Sequence, residues 1–393
     1  MSFPRPAWMS ALQSAFATRN LVWLQGVRRV GKTLLAAQLP EATVLDCELP
    51  SHRAAVADPE AFLRSMAGTT VVLDEVHRLE NPSEILKIAA DHHPTVRVLA
   101  TGSSTLGASP LFRDTLVGRK RDVWLTPMLA ADVAAAGDFG WDRRMLHGGL
   151  PGFFLASSPD PRDYADWLDG YWSKDIQALF RLERRSAFLQ FAELLMTNSG
   201  GIFDATRYAT ACRVSRTTIS NYLGILEATF LVQVIRPFAS RRQAEIVAAP
   251  KVFSFDSGFV CWARGIGQLR QDDRGNLWEH LVLNEIQGVL QHRDVHYWRD
   301  KAGHEIDFVL PARDGAAIAI ECKWRGGEAD LGNLRIFRRA YPNGRNFLVA
   351  SDADPPFTRQ VDDAVVEFVS LPRLRQALAA SEPSPLAAEN MTG

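Results

Sequence analysis

An apolar run at residues 21–24 leads directly into Gly26-Val27-Arg28-Arg29-Val30-Gly31-Lys32-Thr33, and helix-forming residues 34–39 come next. Strand, glycine-bearing loop and helix in that order constrain the fold more than any other feature, because such a loop belongs at the carboxyl end of a strand in a parallel α/β sheet. Gly26 and Gly31 let the backbone fold around phosphate oxygens and offer them its amide hydrogens, and the amino terminus of the following helix adds positive potential. Gly26, Val27, Arg28, Arg29, Val30, Gly31, Lys32, Thr33 and Leu34 are therefore the expected phosphate cradle. In it Lys32 reaches the β and γ phosphates and Thr33 holds Mg²⁺.

Residues 71–75, Val-Val-Leu-Asp-Glu, read as a buried strand ending in two carboxylates. That is what a metal-organising position beside a phosphate loop requires, so Asp74 is the expected second Mg²⁺ partner. Glu75, next along, is placed to polarise an attacking water, and the pair predicts hydrolysis rather than binding alone.

Apolar runs at 21–24, 43–45, 70–73 and 96–100, separated by helix-length segments, predict a parallel sheet. The 43–45 strand falls between the two motifs, and the last run ends in Thr101-Gly102-Ser103-Ser104. With Leu-Val-Gly-Arg at 116–119, these motifs resemble the AAA-type branch of P-loop ATPases. More closely, the chain resembles prokaryotic members that carry a C-terminal domain of unknown function with a nuclease-like core, over residues from about 5 to 370. The resemblance implies ATP and Mg²⁺ as cofactors and Ser103 or Ser104 as γ-phosphate sensor. It also implies Arg113 or Arg119 as a finger reaching a neighbouring subunit's nucleotide, hence a homo-oligomer, a ring or partial ring.

From residue 164 to 198 the apolar spacing turns helical. Residues 205–212, a turn at Arg213-Val214, Ser215 as N-cap and residues 216–228 predict a helix-turn-helix. Its apolar face is Ile219, Tyr222, Leu223 and Leu226, and Arg216, Thr217, Ser220 and Asn221 point elsewhere. Residues 230–235 are expected as a wing strand. The whole chain has 44 basic and 45 acidic residues, so a nucleic-acid surface must be local, and residues 204–242 supply one with six basic and two acidic side chains. A DNA-facing helix uses such residues for phosphate and base contacts; a structural lid or subunit contact is the competing reading of the same unit.

Beyond a connector at 264–276, a helix at 277–289 precedes three strand candidates, 297–299, 304–310 and 317–324, joined by turn sequences. Strand alternation puts Glu321 and Lys323 on one face, with Asp307 on the neighbouring strand and Glu279 on the helix. Asp307 followed by Glu321-Cys322-Lys323 resembles the PD-(D/E)xK nuclease core, with Ile306 where that core has proline. The implied site is a divalent ion on Glu279, Asp307 and Glu321, with Lys323 as the catalytic partner stabilising a hydroxide-like nucleophile.

The four cysteines, Cys47, Cys212, Cys261 and Cys322, form no metal or disulfide spacing, and no stretch is long and apolar enough to cross a bilayer. A cytoplasmic protein without membrane attachment is expected. His92, His93 and the other scattered histidines lack partners at ligand spacing.

The expected architecture is an α/β P-loop ATPase domain (1–150) with a parallel sheet, a helical and winged-helix domain (151–249), an α/β PD-(D/E)xK-like domain (250–378) and a disordered tail (379–393). The expected function is ATP hydrolysis coupled to a DNA transaction, with the C-terminal domain binding or cleaving DNA. The alternative is a nucleotide-operated switch regulating a protein partner through a non-catalytic docking domain.

Overall fold

The computed structural model describes residues 3–102, 115–137, 139–177, 180, 182, 184–239, 249–312, 315–328 and 330–381. The chain divides into two compact units. The first comprises residues 1–140, 147–192 and 209–231, and the second residues 141–146, 193–208 and 232–393.

In the first unit, five strands, β1 (Leu21–Gln25), β2 (Ala42–Asp46), β3 (Thr70–Asp74), β4 (Arg97–Thr101) and β5 (Lys120–Trp124), form a parallel sheet in the order β2-β3-β4-β1-β5. Runs such as Thr70-Val-Val-Leu-Asp are buried on both faces, as a parallel sheet requires; Leu21, Val22, Trp23, Leu24, Val71, Val72 and Leu73 are all nearly inaccessible. The strand lying between the loop strand and the Asp74 strand in space is β4. The 43–45 segment, between the two motifs in sequence, lies at the sheet edge beside β3 with Thr43 and Val44 exposed. The helix after the loop is also shorter than its apolar spacing suggested, Lys32–Ala36 in place of 34–39.

The helix pair of the middle segment forms as the local signals dictate, Ala205–Cys212 and Arg216–Ala228. The Ser215 side chain accepts the Thr218 N–H at 3.0 Å, Ile219, Tyr222 and Leu226 are buried, and Arg216, Thr217, Ser220 and Asn221 are exposed.

The second unit holds the strands β6 (Gly201–Ile202), β7 (Val232–Pro237), β8 (Lys251–Ser254), β9 (His296–Arg299), β10 (Glu305–Pro311), β11 (Ala317–Lys323), β12 (Asn346–Ala350), β13 (Phe357–Val361) and β14 (Ala364–Val369). They form one sheet in the order β13-β14-β12-β11-β10-β9-β7-β8-β6. The strand expected at 230–235 forms as β7, antiparallel to β8, which also pairs antiparallel with β6; beyond the expectation, β7 runs parallel to β9 on its other side and so joins the larger sheet. Five of its six residues are buried, as suits a strand paired on both sides. Arg241 and Arg242 lie outside the described residues.

The sheet crosses Pro250, since β8 pairs back with β6 and β7. The helix Gln271–Leu290 packs on β11 and on the helix Leu371–Ser381. It starts inside the expected 264–276 connector because Asp273 takes the Arg270 N–H at 2.9 Å and two aspartates occupy the first turn. Likewise residues 379–381 are helical rather than tail; residues 382–393 are outside the described set.

The helix Gly332–Ala340 makes the crossover between parallel β11 and β12. Arg338 in its last turn is 8% exposed and donates to the carbonyls of Tyr341 (3.0 Å), Asn343 (2.8 Å), Ala317 (2.9 Å) and Arg345 (2.7 Å), and to the Asn346 side chain. Arg338→Leu removes the donor to four carbonyls at once and should lower stability by about 3 kcal/mol or more. A urea transition followed by tryptophan fluorescence reads this, and an unshifted midpoint contradicts it.

Candidate functional site

At the carboxyl edge of the first unit's sheet a cleft of about 660 Å³ opens over the phosphate loop. Gly31, Lys32, Thr33 and Leu34 line it with Arg28, Arg29, Glu48, Glu75, His77 and Arg78. Gly26 has φ +145°, and a Cβ there would stand 2.3 Å from the Leu125 carbonyl oxygen, so only glycine lets the loop leave β1 beside β5. Lys32 is 9% exposed, and its ammonium donates to the carbonyls of Gly26 (2.9 Å) and Val27 (3.2 Å). Burial lowers its pKa, against the opposing pull of Glu75, Asp175 and Asp74.

One residue, Thr101, holds the Asp74 carboxylate and the Glu75 backbone. Parallel register sets Leu73 beside Ala100, so Thr101 falls beside Asp74. The Thr101 hydroxyl donates to Asp74 Oδ1 and accepts the Glu75 N–H at 3.1 Å. Glu75 sits at φ +52°, a left-handed backbone uncommon for a side-chain-bearing residue and concentrated at functional sites. Its Oε2 lies 3.1 Å from His77 Nδ1. Burial alone would raise the Glu75 carboxyl, but the His77 hydrogen bond and the Lys32 charge hold it below its ordinary value. A hydroxyl (Thr33) and a carboxylate (Asp74) are hard oxygen donors of the kind Mg²⁺ accepts, so the donor set fits that ion.

Arg28 pairs with Asp175 at 3.6 Å and donates to the Gly170 carbonyl at 3.4 Å. Asp175 belongs to a π-helical segment, Trp172–Ile176, whose Ser173, Lys174 and Asp175 all line the cleft. Such π-turns appear frequently at functional sites. Arg119 is paired, through Nε, with both oxygens of Asp91 at 2.8 and 3.0 Å. It precedes Lys120, which is level with Leu21, at the sheet end opposite the loop that begins after Gln25. Ser103, Ser104 and Arg113 lie outside the described residues.

The second unit brings Glu279, Asp307, Glu321 and Lys323 together. Trp278 Nε1 donates to the Val349 carbonyl at 2.9 Å, pinning the helix to β12 and fixing where Glu279 stands. The register Phe308–Ile320, carried one step further, sets Asp307 beside Glu321, and β10 has an irregularity against β9 between Ile306 and Val309, spanning Asp307. Asp307 Oδ2 accepts the Cys322 N–H at 2.7 Å, and Lys323 Nζ lies 3.7 Å from Glu321 Oε2. Glu321 is 3% exposed, and its Oε1 has no hydrogen-bond partner among the described residues.

Burial followed by the charge of Asp307 pushes Glu279 up to about 8 and Glu321 well above its ordinary value; burial also raises Asp307. Burial alone would lower Lys323, but Asp307 and Glu321 carry it above its usual range. Lys251, ion-paired with Glu305, adds a buried cation that also acts on Glu279 and Asp307. Crowded carboxylates and an unpartnered buried oxygen fit a hard divalent ion in donor chemistry. Among the described residues, however, no three acidic, histidine or cysteine side chains are already arranged to hold one.

Residues 18–133 match the family described as an AAA domain. Residues 139–270 and 274–374 match two domains of unknown function, DUF8612 and DUF4143. The chain thus joins an AAA-type P-loop domain to a C-terminal DUF4143 domain. It is similar to uncharacterized proteins of Mycobacterium tuberculosis and Mycobacterium bovis, each 28% identical over 375 residues, 88% of this chain and 83% of theirs. Among solved structures, a DNA polymerase III gamma subunit-related protein from Thermotoga maritima aligns at 10% identity and a TM-score of 0.25, over 57% of this chain and 96% of that one. The DNA clamp loader delta protein of Bacillus subtilis aligns at 10% identity and a TM-score of 0.27, over 71% and 98%. Scores of this size say nothing of what this chain binds. No helix among the described residues is long and apolar enough to cross a membrane.

Proposed function

We propose that the protein is a Mg²⁺-dependent ATPase that couples its cycle to a DNA transaction. The observation that carries this reading is the convergence of Lys32, Thr33, Asp74 and Glu75 at one sheet edge, with Thr101 bonded to both strand-end residues. Lys32 neutralises the β and γ phosphates, Thr33 and Asp74 hold the ion, and Glu75 orients the water.

DNA as the target is supported by two features. The outer face of the helix Arg216–Ala228 exposes Arg216, Thr217, Ser220 and Asn221. The helix Gln271–Leu290 carries Glu279, β10 carries Asp307 and β11 carries Glu321 and Lys323, the residues on which the resemblance to a PD-(D/E)xK core rests. A homo-oligomer with a finger in trans would require Arg119 to leave Asp91, or Arg113 to serve instead.

The acidic side chains that are not yet arranged around one point favour a second reading, a nucleotide-operated switch with a non-catalytic docking domain. ATP turnover with and without duplex DNA, together with DNA affinity across a salt series, separates the two. The DNA reading expects stimulated turnover and a loss of affinity of about 10³-fold or more between roughly 50 and 200 mM salt for about six phosphate contacts. Turnover indifferent to DNA and no salt-dependent binding favour the switch. Lys32→Ala should weaken nucleotide binding under both.

A further inference from the structure

The phosphate loop is backed by a buried ion pair drawn from two distant segments. Arg5, which precedes the helix Pro6–Thr18, is 3% exposed; its Nη2 donates to Asp132 Oδ2 at 2.7 Å and its Nη1 to the Val30 carbonyl at 3.1 Å. Asp132 is fully buried, and the same Oδ2 accepts from Trp8 Nε1 and the Leu129 N–H, each at 3.0 Å. Arg5 Nε and Asp132 Oδ1 have no hydrogen-bond partner among the described residues. A buried pair left partly unsatisfied is a poor source of stability, since desolvation offsets most of its attraction. What the pair does achieve is to fix one peptide unit of the loop.

We propose that Arg5 and Asp132 are positioning residues for the nucleotide: by holding the Val30 carbonyl away from the cleft they present the Gly31 N–H to the phosphates. This rests on reading the cleft as a nucleotide site. In a planar trans peptide the C=O and the following N–H point in opposite directions. With the Val30 carbonyl turned to Arg5, the Gly31 amide points the other way, and Gly31 lines the cleft beside Lys32. Gly31 has φ +104°, and a Cβ there would meet Arg5 Nη1 at 3.5 Å. Glycine makes rotation of this peptide inexpensive, and a rotated unit would aim a carbonyl oxygen at an anion. Lys32 holds the carbonyls of Gly26 and Val27 but must give its ammonium to the incoming phosphates. Arg5 is locked by Asp132 and does not have to move. The orientation of the Val30–Gly31 dipole is thereby set from outside the loop, by residues with no access to the ligand.

The test is the double variant Arg5→Met/Asp132→Asn, in which no charge is stranded and the new side-chain amide oxygen still accepts from Trp8 and Leu129. Thermal midpoint and Mg–ADP affinity by calorimetry are measured beside wild type and Lys32→Ala. The expected result is a folded protein with a moderately lowered midpoint, since the Val30 carbonyl loses its donor, and with affinity lower by about tenfold or more, the loss of one amide bond to a charged group. Arg5→Lys, a point charge that cannot fork between two acceptors, should fold and bind several-fold more weakly. Wild-type affinity in either folded variant overturns the proposal. A wild-type protein that does not bind Mg–ADP overturns the nucleotide reading itself, and the two failures are told apart by that arm.

Discussion

Glu75→Gln will bind Mg–ATP within a few-fold of wild type and hydrolyse it slower by about 10²-fold or more, the usual contribution of a positioned general base. The amide keeps the size and polarity of the side chain but cannot accept a proton from water. The neighbourhood makes this a clean substitution. The Glu75 backbone is held by Thr101, not by its own carboxylate, so the left-handed turn at φ +52° survives the exchange. His77 loses a charged partner yet keeps an acceptor at the same place. The carboxyl lies below its ordinary value because His77 and Lys32 outweigh burial, so it is ionised at neutral pH. Single-turnover hydrolysis with nucleotide affinity measured in parallel decides the matter, and undiminished turnover removes Glu75 from the role. Lys32→Ala acts on the other quantity: it removes the ammonium that meets the phosphates and weakens binding first.

The parts of this site that were legible in the sequence are those whose signal is local. Gly26, Gly31, Lys32 and Thr33 announce themselves because a strand, a tight loop and a helix must succeed one another within about a dozen residues to make a phosphate cradle. The helix pair at 205–228 was equally plain, since Ser215 caps the second helix and apolar spacing does the rest. The contacts that escaped are those made across the chain. Thr101 lies 27 residues from Asp74, yet its role could have been read by pairing the 70–73 run with the 96–100 run in parallel, end to end. Arg5 and Asp132 are 127 residues apart; nothing in either neighbourhood marks them, and only the packed sheet makes them partners. The π-helical turn at Trp172–Ile176 carries no sequence mark that separates it from the helix before it. The strand expected as a wing forms, but its second pairing, with β9, escaped for a related reason. Its alternation-poor, apolar character suits a strand buried on both faces, and its partner β9 comes some sixty residues later.

The acidic cluster yields the second large effect. Mn²⁺ added to the nucleotide-free protein should raise its thermal midpoint, because an ion that binds only the folded state stabilises by mass action. Asp307→Asn should abolish that rise. The metal-free variant should itself be more stable than metal-free wild type, since Asp307 is a principal charge acting against ionisation of both Glu279 and Glu321. The two signs together are specific: loss of a merely structural aspartate lowers the baseline, whereas removal of one of several mutually repelling ligands raises it and removes the ion's effect. Lys323→Met separates ion from chemistry. Its ammonium lies 3.7 Å from Glu321 and has no electron pair to spare for the metal while protonated, so the midpoint shift should persist. Nicking of supercoiled plasmid, if the site cleaves, should fall about 10²-fold or more with either variant. A midpoint indifferent to Mn²⁺ in the wild type would mean that Glu279, Asp307 and Glu321 share protons with one another and with Lys251 and Lys323, and the DUF4143 domain would then be a docking surface rather than a nuclease.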